Sequence, residues 1–247
     1  MRKKHIREFN EQASWLKKGI VYHRGKHDSE IKENSLTAIK RAVDDNLAIE
    51  CDVRLTKDEK VVVSHDDSLK RVFGVDKLIS ECTYEEVYEY SKGEVPLFSE
   101  VLSLVNGKIG IMVEIKSTKN RKLKKFVYDI LKEYKGKYVV VSFDPFILGY
   151  FKRKDSSIIR GQISYSYYDS KYPGIVRFLL SRLLLNFISK PHFISYGIDR
   201  CNLKVLDKFR KKGYFIIGWT YRDETNKETL SSVYDNMIVE NLSIREF

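Results

Sequence analysis

The stretch AIECDVRLTKDEKVVVSHDD, Ala48–Asp67, decides how the chain is organised. Its opening run, Ala48–Leu55, alternates: Glu50, Asp52 and Arg54 fall on one face, Ile49, Cys51, Val53 and Leu55 on the other. That period of two is the signature of a strand. Only Thr56–Lys60 separates Leu55 from a second β-rich run, Val61–His65. A parallel neighbour needs a crossover of about a dozen residues or more, so Val61–His65 is expected to return antiparallel, as a hairpin. With Thr56 opposite Val61, the register sets Asp52 opposite His65 and brings an acid and an imidazole together.

Outward from the hairpin, short β-rich runs alternate with helical patterns. Ile20–Tyr22 is a candidate first strand, followed by a helix over Ser35–Asn46 with Leu36, Ile39 and Val43 on one face and Asn34 or Ser35 as its cap. Further strands are expected at Ile109–Lys116, Tyr138–Phe143, Ile158–Ile163, Phe193–Gly197, Tyr214–Thr220 and Met237–Glu240, with helices at Asn120–Tyr134 and Leu203–Lys212 among the connections. Eight strands joined by helix-length crossovers predict a parallel TIM (β/α)8 barrel, with the extra antiparallel hairpin strand after the second strand. The length of 247 residues fits one such domain over residues 1–247, without a low-complexity linker or close repeat.

Hydrophobic residues at 43% and charged residues at 32% describe a globular, soluble chain. Cys51, Cys82 and Cys201 show neither CxxC spacing nor even pairing, and no stretch has signal-peptide or membrane-span character, so the expected location is cytoplasmic. The net charge of +11 permits anionic partners, but the cations are interspersed with acids and no nucleic-acid motif is present. The Leu-, Ile- and Phe-rich segment Gly174–Ile188 is expected to be a buried barrel helix. The alternative is a helix lying on a lipid surface with Arg177 and Arg182 at headgroup level, a peripheral membrane contact that is not the favoured reading.

The chemistry-bearing residues are His23-Arg24-Gly25, Glu50-Cys51-Asp52, His65-Asp66 and Glu114-Ile115-Lys116, each at or near the end of a strand-like run. Imidazoles, carboxylates and cations converging there fit metal-assisted acid–base cleavage of an anionic ester. Glu50, Asp52 and Glu114 would repel one another in a barrel interior, and a bound cation resolves the conflict. Hard oxygen donors favour Mg²⁺, Ca²⁺ or Mn²⁺ over Zn²⁺. The competing reading pairs these acids with Arg54 or Lys116. His23 and His65 are the candidate proton carriers, since imidazole titrates near neutrality. His5, His27 and His192 are read as structural. Arg24 offers a planar fork for two phosphate oxygens.

The ordered set VYHRGKHD, ENSLTAIKRAV, IECDVRLTKDEKVVVSHDDSLKRVFG, VPLFSEVLSLVNGKIGIMVEIKS, VVVSFDP and GYFIIGWT resembles the glycerophosphodiester phosphodiesterase family. The resemblance implies a TIM barrel, one divalent cation held by Glu50, Asp52 and Glu114, and hydrolysis of a small-molecule glycerophosphodiester to glycerol 3-phosphate and an alcohol. It implies catalysis by His23 and His65 and tips Lys116 towards substrate binding beside Arg24. Trp219 is either a rim packing residue or a platform for glycerol. Glu33-Asn34 matches a family pair, although a helix cap accounts for Asn34 equally well. Lys32, the Asp58-Glu59 turn and the ending MIVENL depart from the family pattern. Alternative readings are a lysophospholipase-D-like activity at a membrane surface and a barrel that binds phosphodiesters without turnover.

Overall fold

The computed structural model describes residues 2–118, 120–222, 230 and 232–240, with the side chains of residues 2, 3 and 5 left aside, so the structural reading of His5 falls outside the described residues. Its strands are β1 (Val21–Tyr22), β2 (Ala48–Leu55), β3 (Val61–Val63), β4 (Ile111–Ile115), β5 (Tyr138–Ser142), β6 (Arg160–Ser164), β7 (Phe193–Gly197), β8 (Phe215–Tyr221) and β9 (Asn236–Val239). Their order is β1-β9-β8-β7-β6-β5-β4-β2-β3, and β1 also pairs with β2. This is the closed parallel order of a TIM barrel, with β3 outside the ring, as the sequence predicts. The residues form two compact units, 22–138 and 1–21 with 139–247.

Within residues 22–138, β2 follows the alternating run residue for residue. Both of its faces are buried: Ile49, Cys51 and Val53 on one, Glu50 and Asp52 on the other. β3 returns antiparallel, but the expected register is one residue out. Leu55 lies opposite Val61 and Val53 opposite Val63, and the Ser64 N–H donates to the Asp52 carbonyl at 2.9 Å. The turn is the reason. The Thr56 N–H bonds the Lys60 carbonyl at 3.0 Å, and Glu59 takes a left-handed φ of 65°, the conformation for which glycine is usual. Asp52 therefore faces Ser64, and His65 has already left the ladder. Beyond the hairpin, Val62, Leu69, Ile79, Cys82, Val87 and Val95 form a small core of their own. The helix Leu36–Asp44 starts at Ser35, whose Oγ accepts the Ala38 N–H at 3.1 Å.

Within residues 1–21 and 139–247, β6, β7, β8 and β9 run parallel in sequence order. A helix over Arg2–Gln12 and a 3-10 turn over Ser14–Lys17, neither anticipated from the sequence, precede β1, and Phe9 packs between Phe193 and Phe215 at ring distances of 5.7 and 5.1 Å. The expectation of one buried helix over Gly174–Ile188 is overturned. Short helices Gly174–Ser181 and Asn186–Ser189 flank a break at Leu183, which has φ of 57°, and no residue of the first helix is buried. At the last strand, Asn241 and Leu242 of MIVENL lie outside the described residues.

Candidate active site

The parallel register of β2 and β4 builds the acidic centre. Asp52 is level with Glu114, and Glu50 lies two residues earlier on the same face as Asp52. Carboxylate oxygens of Glu50, Asp52 and Glu114 lie within 4.8 Å of one another, and all three residues are buried. Their charges are partly compensated. Lys116 Nζ sits 2.7 Å from Asp52 Oδ1 and 2.6 Å from Glu114 Oε1. Arg24 Nε lies 3.5 Å from Asp52 Oδ2, and the Arg24 backbone N–H donates to Glu50 Oε2 at 3.2 Å. Glu50 Oε1 is buried with no hydrogen-bond partner.

Titration behaviour follows from these contacts. Burial, then repulsion from Asp52 and Glu114, pushes the Glu50 carboxyl well above its usual range. Burial also raises Glu114, against the pull of Lys116. For Asp52 burial acts upwards too, but Lys116, His65, Arg24 and His23 together hold it below the usual carboxylate range. Lys116 is raised, because Asp52 and Glu114 outweigh its burial. An acid pushed up by burial and like charge, with an oxygen left unpaired, fits a cation site. The oxygen-only donor set fits Mg²⁺, Ca²⁺ or Mn²⁺.

His23 and Arg24 directly follow β1, and a tight turn aims them. Arg24 has φ of 57° and Gly25 φ of 77°, and a Cβ on Gly25 would come within 3.0 Å of Ala38. The glycine thus lets the turn lie against the helix Leu36–Asp44. Asn34, at φ 61° and 2% exposed, is not the cap, which is Ser35. Its Nδ2 donates to Asp52 Oδ2 at 3.0 Å, so it belongs to the site.

His65 reaches the site by a different device from the predicted register. Arg54 Nε and Nη2 donate to its backbone carbonyl at 2.8 and 2.6 Å, fixing the turn after β3. Its Nδ1 lies 2.7 Å from Asp66 Oδ1. Burial drives the ring down to about pKa 4; Asp52 resists the shift, and Lys116 and Arg24 add to it. Both His23 and His65 act electrostatically on Asp52.

Arg71 escaped the sequence reading. Its Nη1 and Nη2 donate to Glu33 at 2.8 and 2.6 Å and its Nε to Asp66 at 2.5 Å. Glu33 in turn accepts Arg24 Nη1 at 2.9 Å. Asp52, Arg24, Glu33, Arg71, Asp66 and His65 thus form one chain of contacts. Nothing in the spacing of Arg71, 38 positions from Glu33, could have signalled it.

In the other unit, Trp219 packs edge-on against Phe143 at 5.6 Å and Tyr165 at 6.1 Å, the geometry of a packing residue. His192 Nδ1 accepts the Arg160 N–H at 3.0 Å, a structural role, as expected.

The family model described as "Glycerophosphoryl diester phosphodiesterase family" matches residues 23–240. Among solved structures, the glycerophosphodiester phosphodiesterase of Thermotoga maritima is 30% identical and superposes with a TM-score of 0.70 over 89% of this chain and 93% of that one. An Oleispira antarctica phosphodiesterase, solved in complex with the product sn-glycerol-3-phosphate, shares the fold at 20% identity, with a TM-score of 0.76 over 92% of this chain and 94% of its own. Human lysophospholipase D GDPD1 is 32% identical over 140 residues, 49% of this chain and 43% of that protein.

Proposed function

The chain belongs to the glycerophosphoryl diester phosphodiesterase family, and from that premise we propose that it hydrolyses glycerophosphodiesters to glycerol 3-phosphate and an alcohol, using one divalent cation and two histidines. The observation that carries the reading is the buried triad Glu50, Asp52 and Glu114, with its unpaired Glu50 oxygen, next to two cations and within electrostatic reach of two imidazoles. Glu50, Asp52 and Glu114 would hold the ion, which when bound supplies charge neutralisation at the phosphate.

The chain's own residues divide the remaining work. Arg24, oriented by Glu33 and Asp52, binds non-bridging phosphate oxygens through its fork. Lys116 balances the carboxylates before substrate arrives and can turn to phosphate afterwards. His65 is the base. It is neutral at pH 7, and a neutral ring donating from Nδ1 to Asp66 leaves the Nε2 lone pair to take a proton from the attacking oxygen. His23 is the acid and gives a proton to the leaving alkoxide.

Leaving-group dependence tests the division. His23→Ala and His65→Ala should each lower kcat on glycerophosphocholine by ~10²–10⁴-fold. A p-nitrophenyl phosphodiester, which departs without a proton, should rescue His23→Ala and not His65→Ala. Rescue of His65→Ala alone would reverse the roles. Near-normal turnover of both variants on glycerophosphocholine would remove histidine catalysis altogether.

A further inference from the structure

Residues 168–187 expose what a barrel connection normally hides. Tyr172 is 53% exposed, Ile175 66%, Phe178 45%, Leu184 41% and Phe187 70%. Ile175 and Phe178 are three apart on one helix, and Arg182 follows four later on the same face. The segment is nonetheless anchored from beneath. Ser164 Oγ donates to the Leu180 carbonyl at 2.8 Å, and Tyr196 OH donates to the Ser181 carbonyl at 3.1 Å. The apolar side chains are therefore presented on a held scaffold.

Cations border the patch. The Arg182 guanidinium lies 4.5 Å from the Phe178 ring centroid, and the Arg200 guanidinium lies 3.9 Å from that of Tyr168. Between Tyr168 and Lys190 the sequence carries Lys171, Arg177, Arg182 and Lys190 against the single acid Asp169. We propose that this face seats the protein on an anionic lipid surface, with Ile175, Phe178, Leu184 and Phe187 below the headgroups and Arg177 and Arg182 among the lipid phosphates.

The charges choose the occupant. A second copy carries the same net +11 and would set Arg177 and Arg182 against their own counterparts. An anionic bilayer satisfies the apolar side chains and the cations together. Arginine stacked on an aromatic ring suits that boundary, since its stem covers apolar surface and its head stays with water and phosphate. No described helix is long and apolar enough to cross a membrane. The proposal does not depend on the catalytic reading.

Sedimentation of the whole protein with phosphatidylcholine vesicles, with and without phosphatidylglycerol, tests it. Wild type should sediment only with phosphatidylglycerol present, and less as salt is raised. The Ile175→Ser/Phe178→Ser/Phe187→Ser variant should stay in the supernatant while keeping its circular dichroism spectrum. Arg177→Gln and Arg182→Gln should each weaken binding ~5-fold, the equivalent of about 1 kcal/mol per cation at a charged membrane. They also provide the test should the triple variant not fold. The proposal is overturned if wild type ignores anionic vesicles or if the variants bind as well as wild type. It is equally overturned if light scattering shows that the triple variant dissociates a dimer that never bound vesicles.

Discussion

Two regions of this molecule invert the usual rule of polarity in opposite directions. At β2 and β4, Glu50, Asp52 and Glu114 are buried beside Lys116. At residues 168–187, Ile175, Phe178 and Phe187 stand in solvent. Charges inside and hydrocarbon outside both cost stability, and chains keep such exceptions at functional sites. The difference lies in compensation. The acidic cluster has Lys116 and Arg24 at contact distance, with Glu50 Oε1 still unpartnered, whereas Ile175, Phe178 and Phe187 stay exposed.

The largest expected effect comes from removing that compensation. Lys116→Met leaves Asp52 and Glu114 buried without their shared cation, and breaking a buried pair in this way costs about 3–5 kcal/mol. Urea unfolding measures it. If the triad holds a cation, Mg²⁺, Ca²⁺ or Mn²⁺ should restore much of the loss to the variant. A variant as stable as wild type would show that the buried charges are not uncompensated.

Next in size is Arg71, a positioning residue joined to Arg24 through Glu33 and to His65 through Asp66. Arg71→Ala should lower kcat/KM ~10–100-fold, the range for supporting partners of a site. It should also move the acid limb of the pH profile upwards, because Asp66 no longer shared with Arg71 favours the charged imidazole. Arg71→Lys should recover part of both. An unchanged pH profile would make Arg71 purely structural.

A smaller effect concerns pH and stability. The folded His65 titrates near 4 against an ordinary 6.5, so the folded state binds fewer protons at this ring than the unfolded state does. Its contribution is fully favourable above about 6.5 and is lost as pH falls towards 4. His65→Asn should flatten the stability profile in that window; an unaltered profile would mean that the ring is not desolvated as described. The smallest effect belongs to the other region. Phe187→Ser, at a site 70% exposed, should change stability by less than about 0.5 kcal/mol, and a large loss in a thermal melt would mean that the face is already covered within the protein.

The sequence was most informative where one pattern had one meaning. Alternation in Ala48–Leu55 defined β2 to the residue, and the short Thr56–Lys60 connection correctly required an antiparallel return. Register was not legible, because it depended on Glu59 accepting a left-handed conformation, and a slip of one residue exchanges the faces of a strand. His65 meets its partners because Arg54 holds its carbonyl, a contact between positions 11 apart that periodicity does not encode. Asn34 looked equally like a cap until Ser35 proved to fill that role. The Gly174–Ile188 segment misled because apolar composition alone does not fix burial: Leu183 is buried while Ile175, Phe178 and Phe187 are exposed.

Whether a cation held by Glu50, Asp52 and Glu114 serves phosphodiester hydrolysis is read out by following glycerol 3-phosphate release from glycerophosphocholine. The assay should use protein stripped exhaustively with chelator, then supplied singly with Mg²⁺, Ca²⁺ or Mn²⁺. Turnover should disappear on stripping and return with at least one of these ions, and Glu50→Gln should need a higher concentration of the same ion. Full turnover by the stripped protein would contradict this dependence on a cation.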